Sequence, residues 1–123
     1  MNINKFTQKS MEAVQNCEKL AYEYGNQKID QPHLLYSLLA LEDRLIMKLI
    51  TKMGIQGDMF KNEAKQAIEK LTKVSGGGQL YISNDLNKVL INAEDEAKSM
   101  GDEYVSVEHL FLALLKQPSK EMK

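Results

Sequence analysis

Two histidines, His33 and His109, are the first candidates for chemistry in this sequence. Imidazole binds metals and transfers protons near neutral pH, so either side chain could serve as a ligand or as a general acid or base. Neither lies one helical turn from another histidine or near a cluster of cysteines, as a zinc site would need. The alternative is that each imidazole bonds to the backbone and fixes the angle between two helices. The sequence favours this structural role, and we predict no catalytic residue and no metal site.

The surroundings of the two histidines contain an internal repeat with an offset of 76 residues. The segments 25–39 and 101–115 share a glycine, the histidine and three leucines. Extending the same offset back to Thr7 gives eight identities in 33 positions. Repeats of this length usually stack to share one core. The sequence therefore predicts a structural unit that occurs twice in the chain.

The other candidates for chemistry are weaker. Cys17 is the only cysteine, and its counterpart in the second copy is Ala93, which favours a small apolar core residue over a nucleophile. Three consecutive glycines, at 76–78, could suggest a phosphate-binding loop. Such a loop needs a lysine and a serine or threonine directly after the glycines, and Gln-Leu-Tyr follows here. We therefore expect no cofactor in this chain.

The composition excludes several classes of function. A chain of 123 residues with 43% hydrophobic and 27% charged residues is typical of one soluble globular domain. Its net charge of −1 gives no attraction to nucleic acid or to an anionic membrane. The longest apolar run, 110–115, is too short to span a bilayer, and the first residues lack the apolar stretch of a signal peptide. Together with the lone cysteine, these features predict a cytoplasmic protein without nucleic-acid or membrane partners.

Apolar residues recur every three or four positions along most of the chain, which predicts an all-α fold. The first helix is expected to follow Thr7 as its N-cap and to end at Gly25, where a left-handed backbone is needed. The second is expected to follow Asp30, with Pro32 in its first turn, where the missing N–H costs nothing.

Two further helices are predicted in the first copy. The third should span about 42–53, and the fourth should run from Asp58, as its N-cap, to about Thr72. The apolar residues expected to face inward on the third are Leu45, Ile46, Leu49 and Ile50. A glycine-rich linker over about 73–80 would follow.

The second copy is predicted to contain two helices, capped by Ser83 and Ser106, with Met100 inward on the first of them and Gly101 at its end. We place repeat one at about 3–72 and a partial repeat two at about 81–118, both within one domain, 1–123. A full second copy would extend to near residue 148. The second repeat is therefore expected to be truncated, either as a piece of a longer protein or as a naturally abbreviated repeat.

Four apolar residues lie off the inward-facing stripes and are candidates for a binding surface. Either the two repeats pack on each other through them, or they line a groove between the repeats for extended apolar segments. The sequence leaves these two interpretations open. The residues are Met11 and Val14 in the first copy, and Leu90 and Ile91 in the second.

Two carboxylates, Asp102 and Glu108, distinguish the second copy from the first. Glu108 falls in the first turn of a predicted helix, where a negative charge complements the helix dipole. The equivalent residues of the first copy are uncharged, Asn26 and Pro32. The pair either gives one edge of the domain an acidic character or reflects a simple preference at helix starts.

These motifs resemble the Clp N-terminal repeat domain, which precedes the ATPase modules of Clp-type AAA+ unfoldases. The resemblance rests on Phe6-Thr7 before the first helix, on the linker, and on a doubled motif that begins at Gly25 and Gly101. That motif reads Gly-x-x-x-[Ile/Val]-x-x-x-His-Leu-[Leu/Phe]. The segment 101–115 looks most like the ClpB branch, with the ClpC and ClpA branches as the nearest competitors.

The resemblance implies a pseudo-twofold α-helical domain that engages unfolded or aggregated polypeptides, or an adaptor protein. It would pass substrate to a hexameric ring whose ATPase modules use ATP and magnesium. It also implies a polar set that matches positions associated with chaperone function, and it implies an apolar groove as the substrate contact. The polar set is Thr7, Ser83, Asp102 and Glu108. The assignment of the groove to Met11, Val14, Leu90 and Ile91 comes from helical phase alone.

Three residues depart from the pattern of ClpB-like relatives. Asn92, Glu96 and His109 stand where such relatives carry leucine, so a narrower or shifted groove is expected. The leading hypothesis is a non-enzymatic domain that recruits substrate for a disaggregase, in which Leu90→Asp would abolish binding without unfolding. An adaptor-binding domain of a ClpC/ClpA-type unfoldase is the alternative. A hydrolase that uses His109 with Glu108 is disfavoured because no nucleophile accompanies them.

Overall fold

The computed structural model describes residues 5–41, 45–73 and 79–118. These residues form six helices and two short strands. The helices are α1 (Gln8–Glu23), α2 (Gln31–Leu39), α3 (Leu45–Lys52), α4 (Gly57–Glu69), α5 (Asn84–Ser99) and α6 (Val107–Lys116). The strands are β1 (Lys28–Ile29) and β2 (Tyr81–Ile82). The predicted all-α fold is therefore confirmed, with the addition of two strands that the sequence did not predict.

The offset of 76 residues recurs in the helices themselves. Both ends of α5 lie 76 positions after those of α1, and α6 begins 76 positions after α2. Helix α1 packs on α2 as α5 packs on α6, and α2 and α6 contact each other. In the first copy α4 also packs against α2. The two copies therefore share one core, which includes Leu34 and Leu38 of α2 and Leu110 and Leu114 of α6.

The two strands show how the copies are joined. β1 and β2 pair in parallel, with Ile29 opposite Ile82, and an isolated parallel bridge pairs Phe6 with Val105. These two pairings are related by the same offset of 76 residues. Each joins the start of one copy to the loop of the other, so the copies exchange backbone pairings reciprocally. A two-residue strand gives little periodicity for a sequence pattern to detect.

The predicted helix starts are confirmed at four positions: Thr7, Asp30, Ser83 and Ser106 are the N-caps of α1, α2, α5 and α6. The Thr7 hydroxyl accepts from the N–H of Ser10, and that of Ser83 from the N–H of Leu86 at 3.0 Å. Such bonds satisfy N–H groups that have no partner within the helix.

The predicted ends of α1 and α5 are confirmed as well. Gly25 and Gly101 follow the two helices with φ near 74°. This left-handed backbone favours glycine because a Cβ atom is absent. The two helices therefore begin and end at equivalent positions of the repeat.

Four local predictions were wrong. Helix α4 begins after Gln56 rather than Asp58, which lies in its first turn, and it ends at Glu69. A carboxylate in the first turn complements the helix dipole without capping. Leu45 and Met100 are exposed rather than inward, since they lie at the ends of their helices. Residues 42–44, predicted in the third helix, and 74–78 of the predicted linker lie outside the described residues.

Candidate functional site

His33 is a buried cap for α2. Its Nδ1 accepts a hydrogen bond from the backbone N–H of Asp30 at 2.9 Å, which places the ring proton on Nε2. Nε2 then donates to the side-chain oxygen of Asn26 at 3.0 Å. Burial lowers the pKa of His33 below its ordinary value of 6.5, because the charged ring would lose its hydration. The prediction that this histidine bonds to the backbone is confirmed.

His109 repeats this arrangement with one change. Its Nδ1 accepts from the backbone N–H of Ser106 at 2.9 Å, as predicted. Its Nε2 lies 2.8 Å from a carboxylate oxygen of Asp102, the counterpart of Asn26. The Asp102 side chain is 49% exposed, whereas Asn26 is buried. Across the described ranges, no group of three or more histidine, cysteine or acidic side chains could hold a metal ion.

Thr7 and Ser83 occupy equivalent positions at the two backbone pairings between the copies. The N–H of Thr7 donates to the Val105 carbonyl, and the N–H of Ser83 donates to the Ile29 carbonyl, both at 2.9 Å. The buried Ser83 hydroxyl also donates to Asp30 at 2.7 Å. Both hydroxyls therefore take part in bonds within the fold, and that of Ser83 is closed to a partner molecule.

Asp102 and Glu108, the other two polar candidates, lie together around the start of α6. Asp102 faces His109, and Glu108 accepts a hydrogen bond from the Ser106 hydroxyl at 3.1 Å. Thr7 is close to this group because it pairs with the neighbouring Val105. The structure therefore brings three of the four polar candidates together around the start of α6 and places Ser83 at the equivalent pairing of the other copy.

An apolar concavity of about 60 Å³ lies between the copies. Val14 and Leu90, which are equivalent by the repeat, both line it. The rest of the lining is Cys17, Glu18, Ile29, Leu34, Ile82 and Leu86. Ile82 is 40% exposed and Val14 is half-buried, so these two side chains present apolar surface to solvent. Ile82 was not among the predicted groove residues, because its exposure depends on the unpredicted strand β2.

The remaining groove candidates lie elsewhere. Met11 is half-buried and packs against the core, and Ile91 is 43% exposed, but neither lines the concavity. Leu90 is 1% exposed and belongs to the core. A carboxylate at that position would be buried without a partner, so we now expect Leu90→Asp to destabilise the fold, contrary to the expectation from the sequence. The reason is that α5 buries a wider stripe than predicted, with both Val89 and Leu90 inside.

Cys17 contributes packing rather than reactivity. Its thiol is buried and donates to the Ala13 carbonyl at 3.3 Å. Burial raises the pKa of this thiol to about 12, so the reactive thiolate is scarce near neutral pH. The prediction of a core residue is confirmed.

A larger concavity, of about 830 Å³, lies between α4 and the end of α6. Its lining mixes apolar residues such as Phe60 and Leu115 with Lys28, Glu63 and Lys70. Thr72 and Pro118 also line it, close to stretches outside the described residues. It contains none of the candidate residues, and we assign no site to it.

The fold and the site together define a helical repeat domain whose two copies exchange backbone pairings beside an apolar concavity. The family described as the Clp repeat (R) N-terminal domain matches residues 5–123. The chain belongs to this family. Within it the chain is most like ClpB, which confirms the resemblance carried by the doubled motif.

Two curated relatives illustrate the similarity. The chaperone protein ClpB of Nitratidesulfovibrio vulgaris is 38% identical over 123 residues, which cover 97% of this chain and 14% of that protein. The chaperone protein ClpB of Porphyromonas gingivalis is 43% identical over 115 residues, which cover 94% of this chain and 13% of that protein. The chain thus spans about a seventh of the length of these relatives.

Solved structures show the same fold at lower sequence identity. The Hsp104 N-terminal domain of Candida albicans has a TM-score of 0.84 and 20% identity, over 92% of this chain and 75% of that one. The N-terminal domain of ClpV1 from E. coli has a TM-score of 0.82 and 19% identity, over 94% of this chain and 70% of that one. The N-terminal domain of ClpD from Arabidopsis thaliana has a TM-score of 0.69 and 20% identity, over 95% of this chain and 79% of that one. At this identity the likeness concerns the fold alone.

Proposed function

We propose that this chain is the substrate-recruiting N-terminal domain of a ClpB-like, ATP-dependent disaggregase. It would bind exposed apolar segments of unfolded or aggregated polypeptides. The observation that supports this role is the apolar concavity between the copies, in a chain that is most like ClpB. Both copies contribute to it, and Val14 and Ile82 carry apolar surface at its mouth.

The size of the concavity favours weak and unselective capture. A space of about 60 Å³ admits one small aliphatic group, so a bound segment would gain little burial and would still lose chain entropy. A flexible tether to the rest of the protein compensates, because it raises the effective concentration of captured segments near the ring. In this proposal the domain itself is not catalytic. ATP and magnesium would act in the ATPase modules of a cytoplasmic hexameric ring.

The polar candidates would have two different roles. Asp102 and Glu108 lie at or near the surface and would contact basic or polar groups of a partner. Thr7 and Ser83 would act indirectly, because their hydroxyls cap α1 and α5 beside the backbone pairings that join the two copies. Substitution of either cap would then weaken binding and stability together.

The test is a titration of the isotope-labelled domain with a permanently unfolded, apolar-rich polypeptide, followed by NMR. Ile82→Ser removes an exposed apolar side chain from the concavity, and Ile91→Ser removes one of similar exposure outside its lining. We expect Ile82→Ser to weaken binding about ten-fold, the equivalent of ~1.4 kcal/mol, and Ile91→Ser to have little effect. Equal effects of the two variants, or no chemical-shift changes in the wild type, would contradict the proposal.

Adaptor binding, as in a ClpC/ClpA-type unfoldase, is the second candidate. The exposed carboxylate of Asp102 favours it, because a charge at the rim of an interface steers and selects a folded partner. Competition between an unfolded polypeptide and a folded candidate adaptor would separate the two roles. Shifts confined to the start of α6, with none around the concavity, would support the adaptor.

A further inference from the structure

Ile82 turns its backbone polar groups away from the rest of the fold. The N–H groups of its two neighbours, Tyr81 and Ser83, donate to the carbonyls of Gln27 and Ile29 on the β1 side. Since successive N–H groups of a strand point in opposite directions, the N–H and C=O of Ile82 point away from β1. Within the described part of the chain, no hydrogen bond reaches either group.

The equivalent pairing, between Phe6 and Val105, shows that only one of the two strand edges is open to solvent. Phe6 stands in the position equivalent to Ile82, with the same alternation of bonds: Thr7 donates to Val105, and Val105 donates to Lys5. Phe6 is 7% exposed, whereas Ile82 is 40% exposed and its neighbour Tyr81 is exposed as well. One of the two edges is therefore covered by the fold, and the other is accessible.

The open edge lies directly beside the apolar concavity, because the side chain of Ile82 lines it. A residue paired with Ile82 on an added strand would place its side chain on the same face of the sheet as Ile82. That face is the one towards the concavity. A chain extended along β2 would therefore satisfy the backbone groups of Ile82 and insert an alternate side chain between the two copies.

We infer that the outer edge of β2 binds an extended polypeptide segment by strand addition, with one small aliphatic side chain in the concavity. This inference rests on the proposed function and specifies its substrate as a chain with a free extended backbone. Backbone pairing is independent of sequence, and the concavity requires only a small aliphatic side chain such as that of valine. Recognition of this kind suits a domain that meets many different unfolded clients.

The first part of the test modifies the peptide. A short valine-containing peptide with lysines at both ends is titrated against the 123-residue chain, as is a series in which each backbone nitrogen in turn carries a methyl group. N-methylation removes one donor, so it should weaken binding about ten-fold where that N–H faces Ile82. It should have little effect at adjacent positions, whose N–H groups face away. The expected result is one sensitive position in the methylation scan, with insensitive neighbours on both sides.

The second part modifies the protein. Ile82→Pro removes the outward N–H without touching the bonds to β1, a position where an edge strand tolerates proline. Ile82→Val is the matched control, since it shortens the side chain and retains the N–H. Ile82→Pro should bind the peptide about ten-fold more weakly than Ile82→Val. Amide spectra of the Ile82→Pro variant report whether the bonds of Tyr81 and Ser83 to β1 persist.

The outcomes separate the two proposals. If the unmethylated peptide and unfolded polypeptides both fail to bind, the proposed function and the strand addition fall together. If the peptide binds but methylation weakens binding no more at one position than at its neighbours, or if Ile82→Pro binds as tightly as Ile82→Val, strand addition is overturned. Capture through side chains alone then remains. If Ile82→Pro disrupts the pairing with β1, the methylation scan alone decides.

Discussion

The start of α2 and the start of α6 use the same device in different surroundings. In both, a histidine at the third helical position accepts the N–H of the N-cap residue. At α2 the other ring nitrogen meets the buried amide of Asn26, which donates in turn to the Thr72 carbonyl at 3.0 Å. At α6 it meets the half-exposed carboxylate of Asp102. Equivalent positions of a repeat can therefore keep one geometry while burial decides whether the partner is neutral or charged.

The largest effect is expected at Leu90, which is fully buried although its equivalent in the first copy, Val14, is only half-buried. Leu90→Ala should lower the free energy of unfolding by about 3 kcal/mol, because it removes a fully buried side chain from a packed core. Val14→Ala, at the equivalent half-buried position, should lower it by less than about 1 kcal/mol. Urea unfolding of both variants measures the difference. If Leu90→Ala and Val14→Ala lowered the free energy of unfolding by similar amounts, the concavity between the copies would be closed in solution.

Exchanging the partners of the two histidines tests the comparison directly. Asn26→Asp should destabilise the fold by about 2 kcal/mol, because it buries a carboxylate and removes the donor to the Thr72 carbonyl. The reciprocal Asp102→Asn should change the free energy of unfolding by less than about 1 kcal/mol, since water reaches that side chain. Denaturant titrations at neutral pH provide the measurement. Equal changes in the free energy of unfolding of the two variants would contradict the comparison.

The buried histidine should make stability depend on pH. Because burial lowers the pKa of His33 in the folded state, the unfolded chain binds a proton that the folded chain does not bind as the pH falls below about 6.5. Stability is therefore fully present above that pH and declines as the pH falls below it. His33→Gln, which can retain the cap, should flatten the profile of Tm against pH in this range.

His109→Gln is the matched control for this profile. It replaces the equivalent histidine and leaves His33 in place, so the decline below pH 6.5 should persist. If His109→Gln flattened the profile and His33→Gln did not, His33 would not be the source of the pH dependence.

The smallest effect is expected for a polar group that the second copy lacks. The Ser37 hydroxyl is buried, its only polar neighbour among the described residues is the weakly bonding thiol of Cys17, and its counterpart is Ala113. Ser37→Ala should leave stability unchanged or raise it by up to about 1 kcal/mol, because it removes a poorly satisfied polar atom. Thermal unfolding tests this, with Ala113→Ser as the converse change, expected to destabilise. A clear loss in Ser37→Ala would mean that the hydroxyl has a partner in solution.

Most of the fold could be predicted from the sequence because its determinants are local. The caps at Thr7 and Ser83 and the stops at Gly25 and Gly101 depend on side-chain and backbone preferences within one helical turn. The helical period and the offset of 76 residues then predicted which helices correspond. The family resemblance rested on these same residues.

The candidate site was less predictable because it depends on contacts between distant segments. Helical phase placed Val14 and Leu90 in one group, and both line the concavity. It could not show that Leu90 is buried or that Ile82 is exposed. The exposure of Ile82 follows from the pairing of β1 with β2, which joins residues more than 50 positions apart, and the burial of Leu90 follows from the packing of α5 on its neighbouring helices.

By itself the sequence determined the repeat, the family and most helix ends, since each follows from short-range preferences or from a pattern along the chain. Only the tertiary structure decided which of two equivalent residues is buried, as with Leu90 and Val14, or covered, as with Phe6 and Ile82. The physical reason is that solvent exposure depends on what packs over a side chain. In a repeat of unlike copies, that neighbour differs between equivalent positions.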